Sequence, residues 1–289
     1  MTLNIMVVAR WLVGMSSDFR LTSNGVPVSD CAPKQAVMHN LGWSGLLCYN
    51  GVARYGSHDT AEWLEQTLQH EWGAQRSPEQ IVDLLAREGS AWLGKIPANH
   101  RRHTFTLITF EDGNPFVHVI SNYERPGQPD LPTPTDRLFH TRIKPRGPRC
   151  IVTGQSQAVS KRRRDHLKDV LAQQPPAPDK LREAIAEANR EAAPLAQKDT
   201  VSEACVVAYM SRDGSGQMNV YGEIKGEFLP PLILSGQPLA EQMRGAVAQM
   251  GATGSQSVDG IGWPANSRPV PGQPLLGAMS VSFGPANAS

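Results

Sequence analysis

The 289-residue chain carries 28 Lys and Arg against 27 Asp and Glu, so it lacks the basic excess that a nucleic-acid-binding protein needs. Its length suits one large domain with an appendage, or two small domains. Four cysteines without a CxxC pair, and eight histidines without an HExxH or HxxxH pattern, argue against a disulfide framework and a metal site and favour a reducing compartment.

The N-terminus does not read as a signal peptide. It has no basic start, its apolar run is broken by Asn4 and Arg10, and no small-residue cleavage site follows. No apolar run approaches the ~20 residues needed to cross a bilayer. The expectation is a cytoplasmic protein with no membrane or nucleic-acid partner, no metal and no cofactor.

Residues 3–9 and 12–17, hinged at Arg10-Trp11, read as a strand pair. "SNGVPVSD" at 23–30 is turn chemistry, and a further strand pair covers 35–49. "SHDTAEWLEQTLQHEW" (57–72) spaces Ala61, Leu64, Leu68 and Trp72 as one helical face, with Ser57 or Asp59 as its cap. A second helix spans 77–93, with Ser77 as N-cap, Pro78 at the first helical position and Gln80 completing a capping box.

Strands return at 103–121, turning at Asp112-Gly113-Asn114. A proline-rich surface loop follows at 124–136, then a buried strand at 149–154 that ends in a tight turn. Helices are expected over 157–174, with "SKRRRDH" (160–166) on its solvated face, and over 175–193, where Leu181, Ile185, Ala188 and Ala192 share a face. Residues 204–224 form a hairpin.

After 225 the composition shifts to Gly, Pro, Ser, Ala and Gln. One short helix is expected at 239–250, but too few core residues are present for independent folding. The organisation is therefore a domain over 1–225 and a Gly/Pro-rich, partly disordered extension over 226–289. The alternation of strand and helix blocks suits an α/β or α+β sandwich, with helices covering two packed sheets.

Thr2, Asp18 and Lys34 stand sixteen residues apart, and Asp18 begins Asp18-Phe19-Arg20. Downstream come "Tyr49-Asn50-Gly51-Val52-Ala53", "Thr153-Gly154-Gln155-Ser156-Gln157-Ala158" and "Lys198-Asp199-Thr200-Val201-Ser202" ahead of an apolar run. In order and spacing these segments resemble the proteasome β-subunit family of N-terminal nucleophile (Ntn) hydrolases, in its bacterial proteasome-like branch. The resemblance spans about residues 2–224. Thr153 stands where that family has Ser, and residues 203–204 lack its two glycines.

The resemblance implies a four-layer αββα sandwich of the α+β class, assembled into a homo-oligomeric ring with active sites on an inner chamber. It implies Thr2 as nucleophile after a methionine aminopeptidase removes Met1, with no autocleavage. Asp18 and Lys34 would form the buried pair beside it, Gly51 the oxyanion donor, and Thr153, Asp199 and Ser202 the polar shell. The substrate would be a peptide or unfolded polypeptide. The resemblance specifies no ATPase partner.

The chemistry is self-consistent. A threonine hydroxyl needs an adjacent base, and a free α-amine with an ordinary pKa of about 8 can serve. A Lys34 ammonium nearby would lower that pKa, and Asp18 would hold the ammonium. Arg20 is expected to pair with a carboxylate near the first hairpins. Tyr49 is assigned either to the substrate pocket or to the core. Two alternatives stand beside the peptidase: an inactive ring or scaffold protein of the same fold, and an amidohydrolase acting on small amides.

Overall fold

The computed structural model describes residues 2–23, 26–32, 34–40, 43–69, 76–173 and 177–224, with strands at 232–234, 237–238, 258–263 and 280–283. In chain order, β1 (Leu3–Val8) and β2 (Leu12–Asp18) form the first hairpin. β3 (Leu21–Ser23) and β4 (Val26–Ser29) form a separate two-stranded ribbon. β5 (Gln35–Asn40) and β6 (Trp43–Gly51) follow, then the short β7 (Arg54–Tyr55) and β8 (His58–Asp59). Helices α1 (Thr60–Leu68) and α2 (Pro78–Leu93) precede β9 (His103–Glu111), β10 (Asn114–Ser121), β11 (Phe139–Ile143) and β12 (Arg149–Gly154). Next come α3 (Lys161–Leu171), α4 (Pro178–Ala192), β13 (Cys205–Ser211) and β14 (Gly216–Tyr221). The last strands are β15 (Leu232–Leu234), β16 (Gln237–Pro238), β17 (Val258–Trp263) and β18 (Ser280–Phe283).

The chain is α+β. One sheet has the order β12-β1-β2-β13-β14-β17-β18 and the other β11-β10-β9-β6-β5-β15-β16. Three apolar clusters form. One joins the facing sides of the two sheets through Met6, Met15, Leu46, Ile108 and Val206. A second lies between the first sheet and α3 and α4, around Ile5, Val7, Leu181 and Ile185. The third lies between the second sheet and α1 and α2, around Leu47, Leu64, Ile81 and Phe105. Each buried aliphatic side chain is worth roughly 1.5–3 kcal/mol.

This arrangement explains why residues 3–8 and 12–18 show no polar alternation. β1 and β2 are interior strands, and every residue in both is buried. Ile5 and Val7 face the helices while Met6 and Val8 face the other sheet. The capping box at Ser77 and Gln80 forms as its sequence dictates. Leu181, Ile185, Ala188 and Ala192 are all buried on α4.

Several expectations shift. α1 begins at Thr60, capped by Asp59, and the far end of the expected 57–72 helix lies outside the described residues. β11 follows the proline-rich loop and has no counterpart in the sequence reading. β12 is an edge strand bonded only to β1, and it is mostly half-buried rather than buried. Residues 156–158 make a 3₁₀ turn, so α3 starts at Lys161 with Ser160 as cap. In the basic run, Lys161 and Arg162 are exposed, but Arg163 is half-buried and pairs with Glu187 and Glu191 of α4. Beyond 225, β15 to β18 extend both sheets, and the expected 239–250 helix lies outside the described residues. Among the described residues no helix is long and apolar enough to cross a membrane.

Candidate active site

Asp18, at the end of β2, is the hub. Its Oδ1 accepts from Leu3 N–H at 2.8 Å and from Lys34 Nζ at 3.0 Å. Its Oδ2 accepts from Arg20 N–H at 2.9 Å and Ser202 N–H at 3.4 Å. Lys34, just ahead of β5, also donates to Arg20 O at 2.5 Å. Both side chains are fully buried. Burial pushes the Lys34 ammonium below the ordinary lysine range, with Asp18 pulling the other way.

Thr2 is buried and leads into β1. Its carbonyl accepts from Gln155 N–H at 2.9 Å, where the chain turns away from β12. Gly154 makes this approach possible: its φ is +77°, and a Cβ there would overlap Thr2 O. Gly51 closes β6 with φ +104°, and a Cβ there would overlap Arg102 O, so this strand end also demands glycine.

The other expected residues divide. Ser202 joins the hub: its Oγ accepts from Phe19 N–H at 3.0 Å and donates to Ala204 O at 2.7 Å. Thr153 is reached through Asn4, whose Nδ2 donates to Tyr49 O at 3.0 Å and to Thr153 Oγ1 at 3.4 Å. Asp199 is exposed, in a left-handed backbone conformation at φ +50°, and pairs with Arg20. Arg20 also grips Asp30, beyond the β3–β4 ribbon, through Nε at 2.7 Å and Nη2 at 3.1 Å, as its expected pairing anticipates. Tyr49 is buried and stacked on His103 at 5.8 Å between ring centroids. Arg20 and Asp199 help line a cavity of about 590 Å³, together with Ser202, Arg190 and Glu203.

Polar residues that the sequence reading did not assign fill the space between the sheets at this end. Asn4 Oδ1 accepts from Ser17 Oγ at 2.7 Å. Tyr123 OH donates to Glu124 Oε1 at 3.0 Å and to Asn50 Oδ1 at 3.2 Å, sharing one proton. A lone Asn inside "LNIMVV" is the one signal available in sequence, because a buried polar group demands partners. Glu124 gives none, since it opens a proline-rich loop.

The arrangement places a buried cation–carboxylate pair one residue from Thr2, with the glycine-dependent end of β12 against the Thr2 carbonyl. Among the described residues no cluster of three or more His, Cys, Asp or Glu could hold a metal ion. No protein-family model and no curated protein matches the chain.

Proposed function

We propose that this protein is an N-terminal threonine hydrolase that cleaves peptide bonds, built as a four-layer αββα sandwich and working in a homo-oligomeric ring. The observation that carries the reading is the Asp18 carboxylate, which binds Leu3 N–H at 2.8 Å and Lys34 Nζ at 3.0 Å on one oxygen. The three apolar clusters support the layering.

In this mechanism Met1 is removed and the Thr2 α-amine becomes the base. The amine takes the hydroxyl proton, and Thr2 Oγ1 attacks the scissile carbonyl. Gly51 N–H receives the oxyanion, a contribution of ~3–4 kcal/mol. The protonated amine passes its proton to the leaving amine. Water, activated by the same amine, then cleaves the acyl ester and restores Thr2. Ser202 and Thr153 belong to the supporting shell, whereas Asp199 acts through Arg20 on the outer side.

The exposed position of Asp199 and the absence of glycine at 203–204 favour a second reading, a scaffold protein of the same fold. Intact-mass measurement with a fluorogenic peptide panel separates the two. Loss of Met1 and cleavage that vanishes in Thr2→Ala support the peptidase. Retained Met1, or cleavage that persists in Thr2→Ala, overturns it.

A further inference from the structure

Glu124, three residues beyond β10, sits inside the polar layer between the two sheets. Its Oε1 accepts from Tyr123 OH at 3.0 Å and Asn50 Nδ2 at 3.4 Å. Its backbone N–H is fixed by Ser121 Oγ at 2.8 Å, and Ser121 Oγ in turn pairs with Thr104 Oγ1 at 2.7 Å. The buried Oε2 has no hydrogen-bond partner among the described residues. The Thr104 hydroxyl and the Gly154 N–H are the further polar groups that face the carboxyl.

These neighbours belong to opposite sides of the site. Asn50 immediately precedes Gly51 on β6, and Gly154 ends β12 against the Thr2 carbonyl. β6 touches both β1 and β12 across the core. The carboxyl therefore spans the gap between the strand that would bind the oxyanion and the strand that holds the nucleophile.

We propose that Glu124 is a positioning residue of the Thr2 site, tying Asn50, and through it the Gly51 end of β6, to the Gly154 end of β12. The role rests on the hydrolase reading above. Burial pushes Glu124 above the ordinary carboxylate range, opposed by the neighbouring Tyr123 and Thr104 hydroxyls. The titratable groups facing it are Tyr123, Asp130 and Cys48. Burial and Glu124 itself keep Tyr123 protonated and donating.

The test compares Glu124→Ala and Glu124→Gln with wild type, by hydrogen-exchange mass spectrometry over residues 46–52 and 149–155 and by peptide-cleavage kinetics. Glu124→Ala should speed exchange in both segments and lower kcat about tenfold, with KM within about twofold. Glu124→Gln, which mimics the uncharged acid, should restore slow exchange and most of kcat. Unchanged exchange in Glu124→Ala overturns the proposal, whether or not the protein cleaves peptides. So does a Gln variant that behaves like Ala. Absence of Thr2-dependent cleavage would sink the hydrolase reading alone, because the exchange data still decide the tie.

Discussion

Lys34 Nζ lies 3.0 Å from Asp18 Oδ1, and neither side chain reaches solvent. Removing either partner leaves an uncompensated charge in the core, which typically costs about 3–5 kcal/mol. Lys34→Met should therefore destabilise the fold by about that amount, as should Asp18→Leu, which also strips acceptors from Leu3 and Arg20 N–H. The double variant should be less destabilised than the sum of the singles. Urea denaturation of the four proteins in a double-mutant cycle checks this. Strict additivity would mean that the pair is uncoupled.

Gly154 and Thr2 are in backbone contact, so Gly154→Ala acts on Thr2 directly. The methyl group would overlap Thr2 O, and φ +77° adds strain. A loss of about 1–3 kcal/mol in stability is expected, together with loss of Thr2-dependent cleavage. Gly127→Ala is the matched control: its φ is +79°, but a Cβ there would meet open space. It should cost less stability and leave cleavage intact. Equal effects of the two substitutions would remove the steric argument.

Glu124 also makes a prediction about stability alone. Its folded-state pKa lies above its unfolded value, so the folded chain holds the proton more tightly. Stability contributed by that proton is fully present below the unfolded pKa of about 4.3 and is lost as pH rises toward the folded value. Glu124→Gln carries no such loss. Its advantage over wild type should be small at pH 4 and grow with pH, as read from melting temperatures across a pH series. An advantage that shrinks with rising pH would show that Glu124 is held as a carboxylate instead.

Much of the fold is legible because local chemistry and tertiary context agree. The Ser77 capping box, the Asp112-Gly113 turn between β9 and β10 and the apolar face of α4 all form where residue spacing places them. The candidate site is legible in part. Asp18, Lys34 and Ser202 converge, whereas Asp199 turns outward, because Arg20 supplies a partner that spacing alone does not reveal. Glu124 and Asn50 meet only because β10 and β6 flank β9 in one sheet, which no short sequence window contains. β15 escapes notice because it is only three residues long, and β17 because two of its six residues are glycine.

His103 gives the last prediction. It is fully buried, stacked on Tyr49, and edge-on to Phe105 at 4.4 Å and to Trp92 at 5.4 Å. Neither ring nitrogen has a hydrogen-bond partner among the described residues. Burial, with a smaller push from His58, lowers its pKa from 6.5 to about 3. Between those values the unfolded chain binds a proton that the folded chain refuses. Stability should therefore fall as pH drops below 6.5, with a slope of up to ~1.4 kcal/mol per pH unit from this group. His103→Phe keeps an aromatic ring in the stack and removes the titration. Its denaturation midpoints should be flatter than wild type over this window, and parallel curves would clear His103 of the role. His103 is also the strand partner of Gly51. Acid should therefore loosen the Gly51 end of β6 before the fold is lost, and exchange at residues 46–52 should rise on acidification in wild type but not in His103→Phe.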